Sequence, residues 1–189
     1  MQLVKERAIS PAAYLEMEAQ SPLKHEYVAG EIYAMVGVSQ RHNAIAGNAY
    51  LMLRQHLKGK PCLVFMGDVK LGVAQADAFY YPDVMVACRE GNPLAGDAPV
   101  VDDPVLVIEV LSPSTEATDR REKLQAYRTL PSLREYALVS QDRQQVEVYR
   151  REGDIGWLYV VYEPGDMVEF ESVGATFPLA DLYAGTDIA

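Results

Sequence analysis

The sequence is short of positive charge. Its 189 residues hold 17 Lys and Arg against 27 Asp and Glu, a formal net charge of −10. A surplus of that sign disfavours a protein that coats nucleic acid non-specifically, because each phosphate contact needs local positive charge. It does not exclude a nucleic-acid enzyme whose carboxylates hold metal ions. Cysteine is also scarce. Cys62 and Cys88 sit in short apolar runs with neither a CxxC nor a zinc-ligand spacing. They read as reduced core residues, since free Cys behaves as a small hydrophobe, and no disulfide framework is inferred. No uninterrupted apolar run approaches the roughly 20 residues of a membrane span. The first residues, MQLVKERAIS, lack the apolar core of a signal peptide. These absences point to a cytoplasmic protein with no membrane partner. Repeats, low-complexity tracts and linkers are missing too, so residues 1–189 read as a single domain of ordinary size, at roughly 100–200 residues per domain.

What is present is a mixed pattern of helices and strands. Ser10-Pro11 is a helix start, with Ser as the cap and Pro at the first helical position. Residues 26–36 read as two extended pieces turning at Ala29-Gly30. Residues 40–57 read as a helix capped by Ser39, with His42, Ile45, Ala49, Met52 and His56 on one stripe. Three apolar extended runs follow, at 62–73, 79–88 and 104–111, with 89–103 as a surface loop before the third. The third run, PVLVIEVL, is almost continuously aliphatic, as expected of a strand buried on both faces. A second helix is expected over 119–129, ended by Pro131, and strands at 135–140, 145–150 and 157–162. That order predicts an α/β fold with a central mixed β-sheet flanked by helices.

Three residues stand out chemically. Glu109 is an acid inside an otherwise aliphatic strand, so it must be paired, protonated or metal-bound. Asp83 follows Pro82, which cannot donate to a sheet ladder and marks an irregular point. Lys123 lies on a helical stripe with Asp119 and Tyr127, at four-residue steps. The plainer alternatives are a buried salt bridge for Glu109, a turn aspartate for Asp83 and an exposed helical charge for Lys123. Asp119 is equally readable as a helix N-cap, with Glu122 completing a capping box.

Taken together, PD at 82–83, IEV at 108–110 and SPST at 112–115 with Asp119, Lys123 and Tyr127 resemble the Uma-type restriction endonuclease family of the PD-(D/E)XK nuclease superfamily. The resemblance extends to HEYVAGEIYAM at 25–35, Ser39 to His42 and LREYALV at 133–139. It implies a restriction-endonuclease-like fold and a metal-dependent endonuclease that hydrolyses phosphodiester bonds in nucleic acid, DNA in particular. One position departs from the superfamily pattern. The lysine expected two residues after the second acid is Leu111 here. The resemblance implies that its role has moved to Lys123.

On that resemblance, Asp83 and Glu109 ligate Mg²⁺ or Mn²⁺, the hard divalent ions that take oxygen ligands. The Val110 carbonyl and Glu26 join them on the metal side. His42 contacts the phosphate or relays a proton, or is a packed core histidine. Arg41, Lys70, Arg120, Arg121 and Arg128 offer a local positive surface. The superfamily resemblance also implies a homodimer. Three other readings stay open. One is a non-catalytic nuclease fold used as a DNA-binding or assembly module. Another is a glycosidase using Asp83 and Glu109 as an acid/base pair. The last is an acidic structural protein in which Glu109 and Lys123 form an internal salt bridge.

Overall fold

The computed structural model describes residues 8–89, 98–153 and 156–188. Helix α1 (Pro11–Glu18) starts where Ser10-Pro11 places it, and the Ser10 hydroxyl accepts a hydrogen bond from the Ala13 amide. Strands β1 (His25–Val28) and β2 (Glu31–Ala34) then form a hairpin. Its turn takes positive φ at both Ala29 (48°) and Gly30 (93°). A Cβ on Gly30 would stand 2.5 Å from that of Ala8, so a side chain is excluded there by space as well as by backbone conformation. Helix α2 (Gln40–His56) is capped by the Ser39 hydroxyl, which accepts from the His42 amide. It buries His42, Ile45, Ala46, Ala49 and Leu53.

The next two apolar runs do not form single strands. The first divides into β3 (Cys62–Met66) and β4 (Lys70–Val73), and the second into β5 (Ala78–Tyr80) and β6 (Val84–Cys88). Gly67 with φ 50° breaks the first, and the Tyr81-Pro82-Asp83 segment breaks the second. Each run thereby leaves one sheet and enters another: β3 pairs with β6, and β4 with β5. The expected loop at 89–103 contains a two-residue strand, β7 (Val100–Val101), parallel to β4; residues 90–97 of it lie outside the described residues.

Strand β8 (Pro104–Leu111) is central, as its aliphatic run requires. It pairs antiparallel with β6 and parallel with β9 (Glu135–Ser140). Between β8 and β9 runs one helical stretch: α3 (Glu116–Thr118), a π-helical turn (Asp119–Lys123) and α4 (Leu124–Arg128). Strands β10 (Val146–Glu152) and β11 (Gly156–Tyr162) complete a six-stranded sheet of order β11-β10-β9-β8-β6-β3. A hairpin of β12 (Met167–Phe170) and β13 (Ala175–Pro178) leads to α5 (Leu179–Leu182).

Alternation along β8 assigns its two faces. Leu106, Ile108 and Val110 pack with Ile45, Ala49 and Leu53 of α2. Val107 and Leu111 pack with Ala126 and Tyr127 of α4 and with Leu71 and Tyr80. The second face is therefore covered by a helix and by a second sheet, β2-β1-β5-β4-β7, rather than by helices alone. Glu109 belongs by parity to this second face. No described helix is long and apolar enough to cross a membrane.

The cysteines correct the sequence reading. The β3–β6 register sets Cys62 directly opposite Cys88, Cα–Cα 4.0 Å, and a disulfide joins them. Both are half-buried. Twenty-six residues of separation concealed a pairing that only the sheet register creates.

Candidate active site

Three elements end at one place. Asp83 immediately precedes β6, Glu109 lies near the end of β8, and Lys123 closes the π-helical turn after it. Glu26, His42, Asp83, Glu109 and Lys123 line one cleft of about 500 Å³. Every acid, lysine and histidine singled out as a site residue from the sequence is thus in the same cavity. Val110 contributes its backbone, the amide donating to Asp83 Oδ2 at 2.7 Å.

Lys123 is only 5% exposed, not a surface charge. Its Nζ lies 3.1 Å from Glu109 Oε1, 3.2 Å from Glu26 Oε1 and 3.2 Å from Asp119 Oδ1. Burial works against charge on this amine, but Glu109, Glu26 and Asp119 outweigh it and hold its pKa well above the ordinary value. Asp119 is not a helix cap. The helical stretch begins earlier, at Glu116, and Asp119 is buried inside it. Its Oδ1 touches Lys123 without hydrogen-bond alignment. Glu122 meets the Tyr80 hydroxyl at 3.1 Å instead of closing a capping box. Helices containing a π-turn often carry functional groups at that point, and here the widened turn faces Asp119 and Lys123 inward together.

Glu109, 3% exposed, accepts from the Tyr127 hydroxyl at 2.9 Å and from Lys123 through Oε1, and from the Asp83 amide at 3.3 Å through Oε2. Burial pushes its pKa to about 8. Lys123 pulls it down, while Asp119, Asp83 and Glu26 push it further up. Asp83 is held on both oxygens, Oδ1 by His42 Nε2 at 2.9 Å and Oδ2 by the Val110 amide. His42 is therefore a packed core histidine whose ring is also turned to the cleft. Its other nitrogen, Nδ1, is buried without a partner.

The donor set suits a hard cation. Five acids line the cleft with one lysine. Glu109 Oε2 and both Asp83 oxygens each carry one recorded hydrogen bond. A carboxylate oxygen has two lone pairs, so each keeps one acceptor site. Among the described residues no three acid, His or Cys side chains already converge as a ligand cluster, and Lys123 fills the space between Glu26, Glu109 and Asp119.

Of the five cations expected to form a basic surface, Arg121 is exposed and three other arginines are engaged elsewhere. Arg41 makes a bidentate pair with Asp187, at 2.8 and 2.7 Å. Arg120 clasps Glu147, at 2.7 and 2.8 Å, and also Glu116. Arg128 lies over the Tyr149 and Trp157 rings. Two acids of the C-terminal part hold arginines while staying largely exposed: Asp187 holds Arg41, and Glu171 holds Arg150 at 2.6 Å. Sequence reasoning also missed the apolar wall of the cleft, Tyr33 and Met35 to Val38. A signal for it was present, because the hairpin at Ala29-Gly30 puts Tyr33 directly opposite Glu26.

The fold is shared with a solved structure. A crystal structure described as "a putative nuclease belonging to DUF820 from Anabaena variabilis ATCC 29413" superposes with a TM-score of 0.75 at 20% identity, covering 93% of this chain and 98% of that one. The fold is accordingly the restriction-endonuclease-like mixed α/β class. Sequence comparison narrows the class to a family. Residues 11–180 match the Uma2 family, described as "Putative restriction endonuclease", and the chain belongs to that family. Two Synechocystis proteins are close relatives, both described as uncharacterized. One, slr1290, is 36% identical over 94% of this chain and 92% of its own. The other, sll1609, is 35% identical over 80% of this chain and 86% of its own.

Proposed function

We propose that this protein is a divalent-metal-dependent endonuclease acting on DNA, with Asp83, Glu109 and Lys123 as its catalytic core. The observation that carries this reading is the Lys123–Glu109 contact beside Asp83. It supplies from a helix the lysine that β8 lacks at Leu111.

Asp83 and Glu109 would hold Mg²⁺ or Mn²⁺, with the Val110 carbonyl and Glu26 as further oxygen donors. The ion would lower the pKa of a water and neutralise charge on the phosphate. The protein's own groups have separable tasks. Lys123, held protonated by its carboxylate neighbours, donates to phosphate oxygens and orients the attacking water. Its raised pKa makes it a poor general base at neutral pH. His42 fixes the Asp83 carboxylate from behind through Nε2. Tyr127 fixes Glu109 in the same way. Water adds to phosphorus and gives up its proton to solvent, the P–O ester bond breaks, and the leaving oxygen takes a proton from solvent.

A second reading has its own support. Lys123 already balances three carboxylates, as it would in a non-catalytic nuclease fold serving as a DNA-binding or assembly module. Cleavage of a labelled DNA in Mn²⁺ or Mg²⁺ separates the two. Glu109→Ala abolishes cleavage on the nuclease reading. Cleavage retained by the purified, folded variant overturns it.

A further inference from the structure

The cleft that holds the carboxylates has two unlike walls. One is the β8–α3 connection, with the hydroxyls of Ser112, Ser114 and Thr115. The other is β2 and the segment after it, where Tyr33 is 50% exposed and Val36 71% exposed. Neither wall is lined with cations. Among the described residues, Lys123 is the single Lys or Arg of the cleft.

We infer that the site accepts an unpaired nucleotide, its base stacked on Tyr33, rather than a continuous duplex. This rests on the nuclease reading above and names its substrate class.

The first support is placement. Tyr33 is the register partner of Glu26 across β1 and β2. Directly opposed residues share a face of the sheet, with Cβ atoms roughly 5 Å apart. Glu26 in turn touches Lys123. An aromatic ring therefore borders the group placed to meet the phosphate. The ring is steadied by its hydroxyl, which donates to Glu31 at 2.6 Å, and half of the residue is exposed. Every base has a π-face, so such stacking needs no sequence readout.

The second support is charge. A protein that grips a duplex neutralises many phosphates along two backbones. Here Arg41, Arg89, Arg120 and Arg150 are paired with carboxylates. Two lysines stand by Tyr81, which lines the cleft. Lys24 and Lys70 lie over the Tyr81 ring, 5.8 and 5.4 Å from its centre, and Lys24 is also paired with Asp68. That provides for one strand entering beside Tyr81. Size agrees: a cleft of about 500 Å³ is within the range that encloses one small ligand.

The test is fluorescence anisotropy with an end-labelled DNA oligonucleotide, offered as a single strand and as its full duplex, in Ca²⁺ and in EDTA. The single strand should bind about tenfold tighter than the duplex. Tyr33→Ala should lose about tenfold in single-strand affinity, the scale of one stacked base, and Tyr33→Phe should retain it. Equal or tighter duplex binding overturns the inference, and so does a folded Tyr33→Ala that binds normally. Cleavage in Mn²⁺ is scored separately. If no DNA form is cut while the Tyr33-dependent preference holds, the nuclease reading fails and the binding inference stands.

Discussion

Lys123 Nζ lies 3.1 Å from Glu109 Oε1, joining a helix to the strand residue fourteen positions earlier. Both groups are buried. Position 111, on the same face as Glu109, is filled by a leucine in the apolar cluster beneath α4.

Removing one member of this pair leaves the other charges buried without compensation. Lys123→Met should therefore destabilise the fold by about 3–5 kcal/mol, the usual scale for breaking a buried ion pair. Adding Glu109→Gln to it should recover part of the loss. Urea denaturation of the two single variants and the double variant measures the coupling. Strictly additive effects would show that the contact contributes no pairing energy.

Tyr127→Phe keeps the ring packed against Tyr80 and Tyr136 but removes the donor to Glu109. A loss of about 1–2 kcal/mol is expected, the cost of depriving a buried acceptor of one partner. Chemical denaturation measures it, and unchanged stability would mean that the hydroxyl bond is not made.

Glu147 gives a pH-dependent test away from the carboxylate cluster. Burial alone would raise its pKa, but Arg120 and Tyr159 outweigh burial and hold it below the ordinary 4.5. A lowered carboxylate pKa stabilises the fold above the unfolded value, and that contribution is lost as pH falls through the folded value. Thermal unfolding between pH 3 and 7, as an order-of-magnitude window around that pKa, should show a steep acid limb. In Glu147→Gln the limb should be flatter and the melting temperature at pH 7 lower. Because Glu147 clasps Arg120, the acid-induced loosening should begin at the helical stretch that carries Lys123. An acid limb unchanged by the substitution would contradict this.

His42 should act through Asp83. Groups that orient a metal ligand typically cost 10–100-fold in affinity, roughly, when removed. His42→Ala should weaken Mn²⁺ binding on that scale in titration calorimetry, with secondary structure retained by circular dichroism. Unchanged affinity would assign His42 to packing alone.

Much of this site was legible in the sequence, for identifiable reasons. Glu109 announced itself because an acid in an aliphatic strand has to be compensated. The helical stripe Asp119, Lys123, Tyr127 was visible from spacing, and all three residues are buried. What spacing could not supply was the partner of each group. Whether Lys123 faced solvent depended on the π-helical turn. Whether Arg41 and Arg120 were free depended on Asp187 and Glu147, distant in sequence. The same holds for the fold. β8 and the helix α2 followed from local pattern, whereas the transfer of two apolar runs between sheets and the Cys62–Cys88 pairing follow from strand register, which no local pattern encodes.

The central claim is that Asp83 and Glu109 hold a divalent ion with Lys123 beside it. Anomalous diffraction from a crystal soaked in Mn²⁺ tests this most directly. The account predicts a manganese peak within bonding distance of one oxygen each from Asp83 and Glu109. An absence of any peak there at saturating Mn²⁺, with Lys123 still seated between Glu26, Glu109 and Asp119, would contradict it.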